Sequence, residues 1–179
     1  MNDLDVLRQA ILNEAEGAAF YAMAAEKTAD TSSKEAFGYL KDQEVQHEEW
    51  LRSLYDRLVL QVASSSANLE WETLAEIEFI REAELRKKGK SPELFSQAGG
   101  KFKLALSDMA VFSAGALMEQ ASIDFYTKAA ASTQNEEAKK IYTILVEWEG
   151  DHLNQLNEIH ENLTELWIQE QDFSSSPKL

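Results

Sequence analysis

The segments EAEGAAFY (residues 14–21) and DQEVQH (residues 42–47) decide the fold, because each returns 105 positions later, as EQASIDFY (119–126) and EWEGDH (147–152). Both copies contain a Glu, a second Glu 30 positions later and a His three positions after that. The residues in register are Glu14, Glu44 and His47 in the first copy, and Glu119, Glu149 and His152 in the second. A match of this extent at one offset indicates an internal duplication, and we interpret the two triplets as one shared site.

The composition is that of a soluble, helix-rich protein of one domain. The chain has 179 residues, of which 44% are hydrophobic and 27% are charged, with only two Pro and seven Gly. The net charge of −15 disfavours nucleic acids and anionic membrane surfaces as partners, because both would repel the chain. The absence of Cys excludes disulfides, thiolate metal sites and iron–sulfur clusters.

The N-terminal sequence and the hydropathy pattern bear on location. The first residues lack the basic region and the apolar run of a signal peptide, and no segment approaches a membrane span in length. The sequence therefore predicts a cytoplasmic protein with no membrane partner.

Apolar residues recur every three or four positions in four segments, which predicts four amphipathic helices. The six Glu and His residues of the triplets lie inside the apolar stripes. In an antiparallel hairpin, residues at equal height are equidistant from the turn, so Glu14 and Glu44 require a turn near position 29. Glu119 and Glu149 require one near position 134, and polar residues occupy both places.

Turn and linker signals organise these helices into two hairpins of one all-α domain. Ser32 with Glu35, and Thr133 with Glu136, have the spacing of capping boxes at helix N-termini. A long link carries the chain across the bundle, as four-helix bundles with one crossover require. The predicted parts of the single domain 1–179 are a helical hairpin at about 3–62, a crossover at about 63–107 with a further helix at about 69–88, a second hairpin at about 108–170 and a loose tail at 171–179.

The spacing of the Glu and His residues suits a metal site with two ions. A Glu and a His three positions apart project from one face of a helix, so both can bind one ion. Two such pairs and one Glu from each remaining helix supply the ligands of a dinuclear iron or manganese site in a four-helix bundle. A single pair of this kind is more often an exposed ion pair. Because the pair is duplicated in register, a metal site becomes the preferred interpretation. The predicted cofactor is two iron ions, with manganese or zinc as alternatives in purified protein.

Aromatic residues near the predicted ligands have two possible roles. Tyr21 and Tyr126 each follow a ligand Glu by seven positions on the same stripe. They could hydrogen-bond a ligand carboxylate or transfer an electron, or they could simply pack in the core. We interpret the four Trp residues as packing or interface residues rather than as redox relays.

With these residues in place, the chain resembles the rubrerythrin group of the ferritin-like superfamily. The resemblance rests on the four segments quoted above and implies a ferritin-like four-helix bundle. It implies that Glu44 and Glu149 bridge two irons, while Glu14, Glu119, His47 and His152 are terminal ligands. Rubrerythrins characteristically reduce hydrogen peroxide at such a centre, and relatives also oxidise or store iron.

The sequence departs from the rubrerythrin pattern in two ways. Full-length members carry a rubredoxin-like centre held by four Cys, so an external electron donor such as a rubredoxin-like protein is expected here. Peroxidase members usually have a further Glu three residues after the third-helix ligand, where this chain has Ser122 and, in the first copy, Gly17. Relatives commonly form dimers, so we also expect a homodimer.

Three functions are compatible with this sequence. The first is a diiron redox protein that reduces hydrogen peroxide or activates oxygen with electrons from an external donor. The second is a ferroxidase or an iron-handling or storage protein. The third is a helical bundle that keeps the metal for structure or for interaction with a partner.

Overall fold

The computed structural model describes residues 2–63 and 106–174, and this part of the chain contains four α-helices and no strand. The helices are α1 (Asp3–Lys27), α2 (Thr31–Ala63), α3 (Leu106–Ser132) and α4 (Glu136–Ser174). Helices α1 and α2 form one antiparallel hairpin and α3 and α4 form the second. The predicted all-α four-helix bundle is therefore confirmed. The predicted crossover helix at about 69–88 lies outside the described residues, and α4 continues beyond the predicted end at 170 to Ser174.

The two turns between paired helices have the same hydrogen bonds at positions 105 apart. The backbone N–H of Asp30 donates to Thr28 Oγ1 at 3.2 Å, and that of Asn135 donates to Thr133 Oγ1 at 3.1 Å. Asp30 Oδ2 in turn accepts from the N–H of Ser33 at 2.7 Å, and Asn135 Oδ1 accepts from the N–H of Ala138 at 3.1 Å. The duplication therefore extends from the site to the turns.

These contacts correct the capping boxes predicted from the sequence. The residues that cap α2 and α4 are Asp30 and Asn135, because the helices begin one residue later, at Thr31 and at residue 136. Ser32 is already inside α2. Thr133 lies two residues before the true cap and accepts a hydrogen bond within the turn.

The core consists of two hydrophobic clusters, one towards each end of the bundle. Cluster 1 contains Val6, Leu7, Ala10, Ile11, Leu51, Leu54, Leu58, Tyr126, Ala129, Ala138, Ile141, Tyr142, Leu145 and Trp148. Cluster 2 contains Tyr21, Ala24, Ala36, Phe37, Leu40, Phe112, Leu156 and Ile159. On every helix the predicted metal ligands lie between residues of cluster 1 and residues of cluster 2. The bundle therefore holds one polar layer between two apolar ones.

The start of α1 also ties the two hairpins together. Tyr142 on α4 donates from its hydroxyl to Asp3 Oδ1 at 2.9 Å, and Thr133 Oγ1 donates to Asp3 Oδ2 at 3.2 Å. Asn2 caps α1 by accepting from the N–H of Asp5 at 2.8 Å.

Among the residues described, no helix combines the length and the hydropathy needed to cross a bilayer.

The corrected caps generate a stability prediction. Asp30→Ala should lower the free energy of unfolding by about 1 kcal/mol, because the N–H of Ser33 loses its acceptor at the start of α2. Ser32→Ala should change it much less. Urea unfolding of both variants at the same metal content measures the difference. An equal loss of unfolding free energy in both would contradict the assignment of Asp30 as the cap.

Candidate metal centre

The structure brings all six sequence-predicted ligands into one buried layer. Their exposed fractions lie between 1% and 3%, and every helix contributes at least one of them. Their ligand atoms form two overlapping groups, each with all atoms within 4.8 Å of one another. The groups are Glu14, Glu44 and His47, and Glu44, Glu119, Glu149 and His152. Glu44 belongs to both groups, which is the position that a bridging carboxylate requires.

Both imidazoles turn Nδ1 towards the carboxylates. His47 Nδ1 lies 3.2 Å from Glu14 Oε2. His152 Nδ1 lies 3.2 Å from Glu44 Oε1, 3.6 Å from Glu149 Oε2 and 3.8 Å from Glu119 Oε1. Despite these neighbours, His152 Nδ1 has no hydrogen-bond partner among the residues described. A buried nitrogen that has three carboxylates within ion-pair distance but no hydrogen bond is in the position of a metal ligand, so the donor set fits a pair of cations.

Two tyrosines link the hairpins through the predicted ligands. Tyr126 on α3 donates a hydrogen bond to Glu14 Oε1 at 2.6 Å, and Tyr21 on α1 donates to Glu119 Oε1. Each tyrosine therefore holds the Glu of the opposite hairpin. Gly115 permits the approach of Tyr21, because a Cβ at this position would lie 3.3 Å from the Tyr21 hydroxyl. A catalytic role for either tyrosine stays a prediction.

Burial keeps both phenols protonated. It raises the pKa of Tyr21 and of Tyr126 well above the ordinary value, and the charges of Glu119 and Glu14 add to the shift. The hydroxyls therefore remain hydrogen-bond donors throughout the physiological range.

Two of the four carboxyl groups are shifted towards the neutral form in the metal-free chain. Burial, followed by the charge of Glu14, raises the pKa of Glu44 to about 8. Burial and the charges of Glu14 and Glu44 raise the pKa of Glu149 well above its usual range. Four carboxylates in one dry layer cannot all ionise without cations, which accounts for the direction of both shifts.

The other two carboxyl groups are stabilised as anions by the histidines. Burial raises the pKa of Glu14, but His47 outweighs it and the net pKa falls to about 2. Burial likewise raises the pKa of Glu119, and His152 outweighs it, so the net pKa is lowered. For His152 itself, burial lowers the pKa, but the surrounding carboxylates raise it further and the net pKa is well above its usual value.

Two neighbouring cavities lie between α1 and α3, and the inner one borders the carboxylates. The outer cavity has a volume of about 440 Å³ and is lined by Gln9, Asn13, Glu16, Met118, Ala121, Ser122 and Phe125. The inner pocket, of about 20 Å³, is lined by Asn13, Gly17, Glu44, Met118, Glu119, Ser122 and Glu149. Asn13, Met118 and Ser122 belong to both, so the two spaces adjoin. The inner pocket has room for about one water-sized molecule.

Gly17 leaves space for a carboxylate beside the inner cavity. A Cβ at Gly17 would lie 3.0 Å from Glu44 Cδ, which is tighter than most carbon contacts, so the Glu44 carboxylate would have to shift to make room. Ser122 is the equivalent residue of α3. Sequence reasoning identified the two positions as equivalent, but it did not identify the cavity between them, because a cavity depends on how the helices pack.

Sequence reasoning also missed a contact between a predicted ligand and a tryptophan. The Trp148 ring stacks on the His47 ring with centroids 4.3 Å apart and an angle of 15° between the planes. Trp50 packs edge-on against Trp148, with centroids 5.5 Å apart. The sequence held one signal for this contact. The repeat fails at both tryptophans, because the residue 105 positions from Trp148 is Gln43 and the residue 105 positions from Trp50 is Gln155.

The fold and the site define a class of protein: a helical bundle with a buried Glu and His cluster compatible with diiron binding. The model of the rubrerythrin family matches residues 5–160. The chain therefore belongs to the rubrerythrin family, and the resemblance seen in the sequence is confirmed.

A solved structure supports the fold. The hypothetical protein Pfu-1136390-001 from Pyrococcus furiosus is similar to this chain with a TM-score of 0.61 and 18% identity, over 93% of this chain and 92% of that one. At this identity the likeness shows the fold alone. No curated protein matches the chain.

The pKa shifts predict how the metal-free protein responds to pH. Glu44, Glu149 and His152 all have raised pKa values in the folded chain, so between about pH 5 and 8 the folded state binds more protons than the unfolded state. Stability should therefore fall as pH rises through this window, by at most about 1.4 kcal/mol per pH unit for each proton. Urea unfolding of chelator-treated protein at several pH values measures the slope.

Metal loading provides the control for this prediction. Binding of divalent cations should release protons and flatten the fall in stability, because cations replace protons as the neutralising charge. Calorimetric titration in buffers of different ionisation enthalpy counts the protons. A metal-free protein that becomes more stable between pH 5 and 8 would contradict the assigned charge states.

Proposed function

We propose that this chain is a diiron-carboxylate redox protein of rubrerythrin type, which reduces hydrogen peroxide, or activates oxygen, with electrons from an external donor. The observation that carries the proposal is the buried layer in which all six donor side chains converge, in a chain of the rubrerythrin family. Two bound irons would supply two electrons to a peroxide. An external donor, such as a rubredoxin-like protein, and a homodimer are part of the proposal.

The proposed roles of the six ligands follow from their contacts. Glu44 would bridge the two metal positions, because it belongs to both donor groups, and Glu149 would do so as its equivalent in the repeat. Glu14 with His47, and Glu119 with His152, would be terminal ligands of the two positions. The remaining side chains would position these ligands and control access.

Tyrosine hydroxyls would hold the terminal carboxylates in orientation. Tyr126 fixes Glu14 Oε1 and Tyr21 fixes Glu119 Oε1, which leaves the other oxygen of each carboxylate to face a cation. Because both phenols keep their protons, each Tyr–Glu pair stores a proton beside the centre.

The two cavities between α1 and α3 would form the path that admits the oxidant. Its inner pocket borders Glu44, Glu119 and Glu149 and has room for about one water-sized molecule, so it would exclude oxidants larger than a peroxide or an oxygen molecule. The apolar clusters on both sides of the layer exclude bulk water from the rest of the centre. Substrate would therefore reach the centre from one side of the bundle.

The central experiment measures metal content and then reactivity. Protein loaded anaerobically with ferrous iron should bind two irons per chain and be oxidised rapidly on mixing with peroxide, with turnover when a reductant is supplied. Oxygen is tested separately by the same stopped-flow method. A ferrous protein that is inert to peroxide while reacting readily with oxygen would refute the peroxide version.

Glu149→Gln provides the site-specific variant for this experiment. Loss of a ligand charge should weaken iron binding by more than about tenfold and abolish the fast oxidation. The matched control is Glu158→Gln, which removes an exposed carboxylate from the same helix. Equal metal content in both variants would exclude Glu149 as a ligand.

A size series at Ser122 tests the proposed path. Ser122→Leu should fill the gap between the two spaces and slow oxidation by peroxide about tenfold or more, while iron content stays at the wild-type level. Ser122→Ala keeps the gap open and should react like the wild type. If the Leu variant reacts as fast as the Ala variant, peroxide enters elsewhere.

Iron handling is the second candidate function, and Ser122 is the observation that favours it. The peroxidase members of the group usually have a Glu at this position, and here the inner pocket has a serine hydroxyl instead. An iron-storing protein would bind more than two irons per chain or assemble into a shell. Native mass spectrometry after iron loading distinguishes the two functions.

A further inference from the structure

The symmetry of the duplicated site is broken beside the histidines. The ligands, the tyrosines and the turns all recur 105 positions apart, but Trp50 of the first copy corresponds to Gln155, and Trp148 of the second copy corresponds to Gln43. Gln43 is buried, with 4% of its surface exposed, and Trp148 is buried to a similar degree, at 6%. A buried side chain at this position of the repeat can therefore be a glutamine as well as a tryptophan.

The two indoles form a continuous ring contact from His47 towards the surface. The Trp148 ring lies nearly parallel to His47, and the next ring, Trp50, is only partly buried. His47 also stacks on His152, with centroids 5.4 Å apart and an angle of 17°. Electrons pass readily between aromatic rings in contact, so this stack connects both halves of the centre to one side of the bundle.

The indoles lie apart from the path for the oxidant. The cavities are lined by residues of α1 and α3, with Glu44 and Glu149 at the inner end, and neither Trp50 nor Trp148 lines them. Trp50 and Trp148 belong to α2 and α4, the helices that carry both histidines. A reductant at Trp50 and an oxidant in the cavity would therefore reach the centre from different sides.

We propose that Trp148 is an electron donor to the His47 half of the centre and that Trp50 connects Trp148 to the surface. The proposal rests on the proposed function. Reduction of one hydrogen peroxide to two waters consumes two electrons and two protons. When the loaded protein holds only one reducing electron, Trp148 supplies the second and becomes an indole radical cation.

The electron is then replaced from outside. Trp50 reduces the Trp148 radical and is itself reduced by an external one-electron reductant of the ascorbate type. The two electrons that the peroxide needs therefore come one from the metal and one from that reductant.

Tyr21 and Tyr126 are the competing donors. Both are fully buried, and their partly buried ring neighbours Phe20 and Phe125 are phenylalanines, which are much harder to oxidise than an indole.

The test reduces the oxidised iron-loaded protein by one electron per iron pair and then mixes it with peroxide without further reductant. Freeze-quench electron paramagnetic resonance should show an organic radical, and peptide mass spectrometry should find oxidation concentrated at Trp148 and Trp50. Zinc-loaded protein is the control, because zinc occupies the same ligands without redox chemistry. Radical formation or the same oxidation pattern in the zinc form would overturn the proposal.

Variants separate electron donation from packing. Trp148→Phe should lower the radical yield at least tenfold at unchanged iron content, and Trp148→Tyr should restore a radical with a tyrosyl spectrum. Trp50→Phe should leave the Trp148 radical in place and slow its decay when ascorbate is added. The matched control is Tyr55→Phe, which removes a redox-active side chain hydrogen-bonded to Arg8 and should leave the yield unchanged.

The outcomes distinguish this proposal from the proposed function. If Trp148→Phe keeps the wild-type radical, or loses its iron while Trp148→Tyr gives no tyrosyl radical, Trp148 is not a donor and the proposal fails alone. If wild-type protein binds no iron pair, or its iron form is inert to peroxide, the proposed function fails and this proposal fails with it.

Discussion

The burial of four carboxyl groups in one layer is the constraint on which the structure depends. Charged groups among leucines and tyrosines have no water to solvate them, so each must be protonated, paired or bound to a cation. The metal-free chain uses the first two solutions: Glu44 and Glu149 have raised pKa values, whereas Glu14 and Glu119 are ionised beside His47 and His152. Two divalent cations would replace this divided arrangement by one in which all four are ionised.

The duplication explains how a chain of this size builds such a layer. One hairpin supplies only two carboxylates and one imidazole, so a complete site forms only when two hairpins face each other. The tyrosines make that pairing specific, because each hydroxyl bonds the Glu of the opposite hairpin. The same two hydrogen bonds therefore join the hairpins and orient the terminal ligands.

The sequence predicted the features that depend on spacing along a helix. The four helices, the turn positions and the convergence of six side chains all follow from periodicity and from distances to the turns. The caps were assigned wrongly because a capping residue is defined by where its helix begins, and Asp30 and Asn135 compete for that role with nearby Ser and Thr residues. The contact of Trp148 with His47 and the cavities beside Ser122 depend on rotamers and packing between helices, which spacing does not encode.

The proposed function would give the departures from symmetry a common physical reason. A site that only holds metal gains nothing from unequal halves, and the duplicated ligands, tyrosines and turns have indeed remained equivalent. A redox site has to exchange electrons with the surface and oxidant with the solvent, and each exchange needs only one route. The indoles stand on the histidine-bearing helices α2 and α4, while the open cavity lies between α1 and α3. In the proposed function, keeping the two routes apart would prevent a reductant from meeting the oxidant before the electrons pass through the centre.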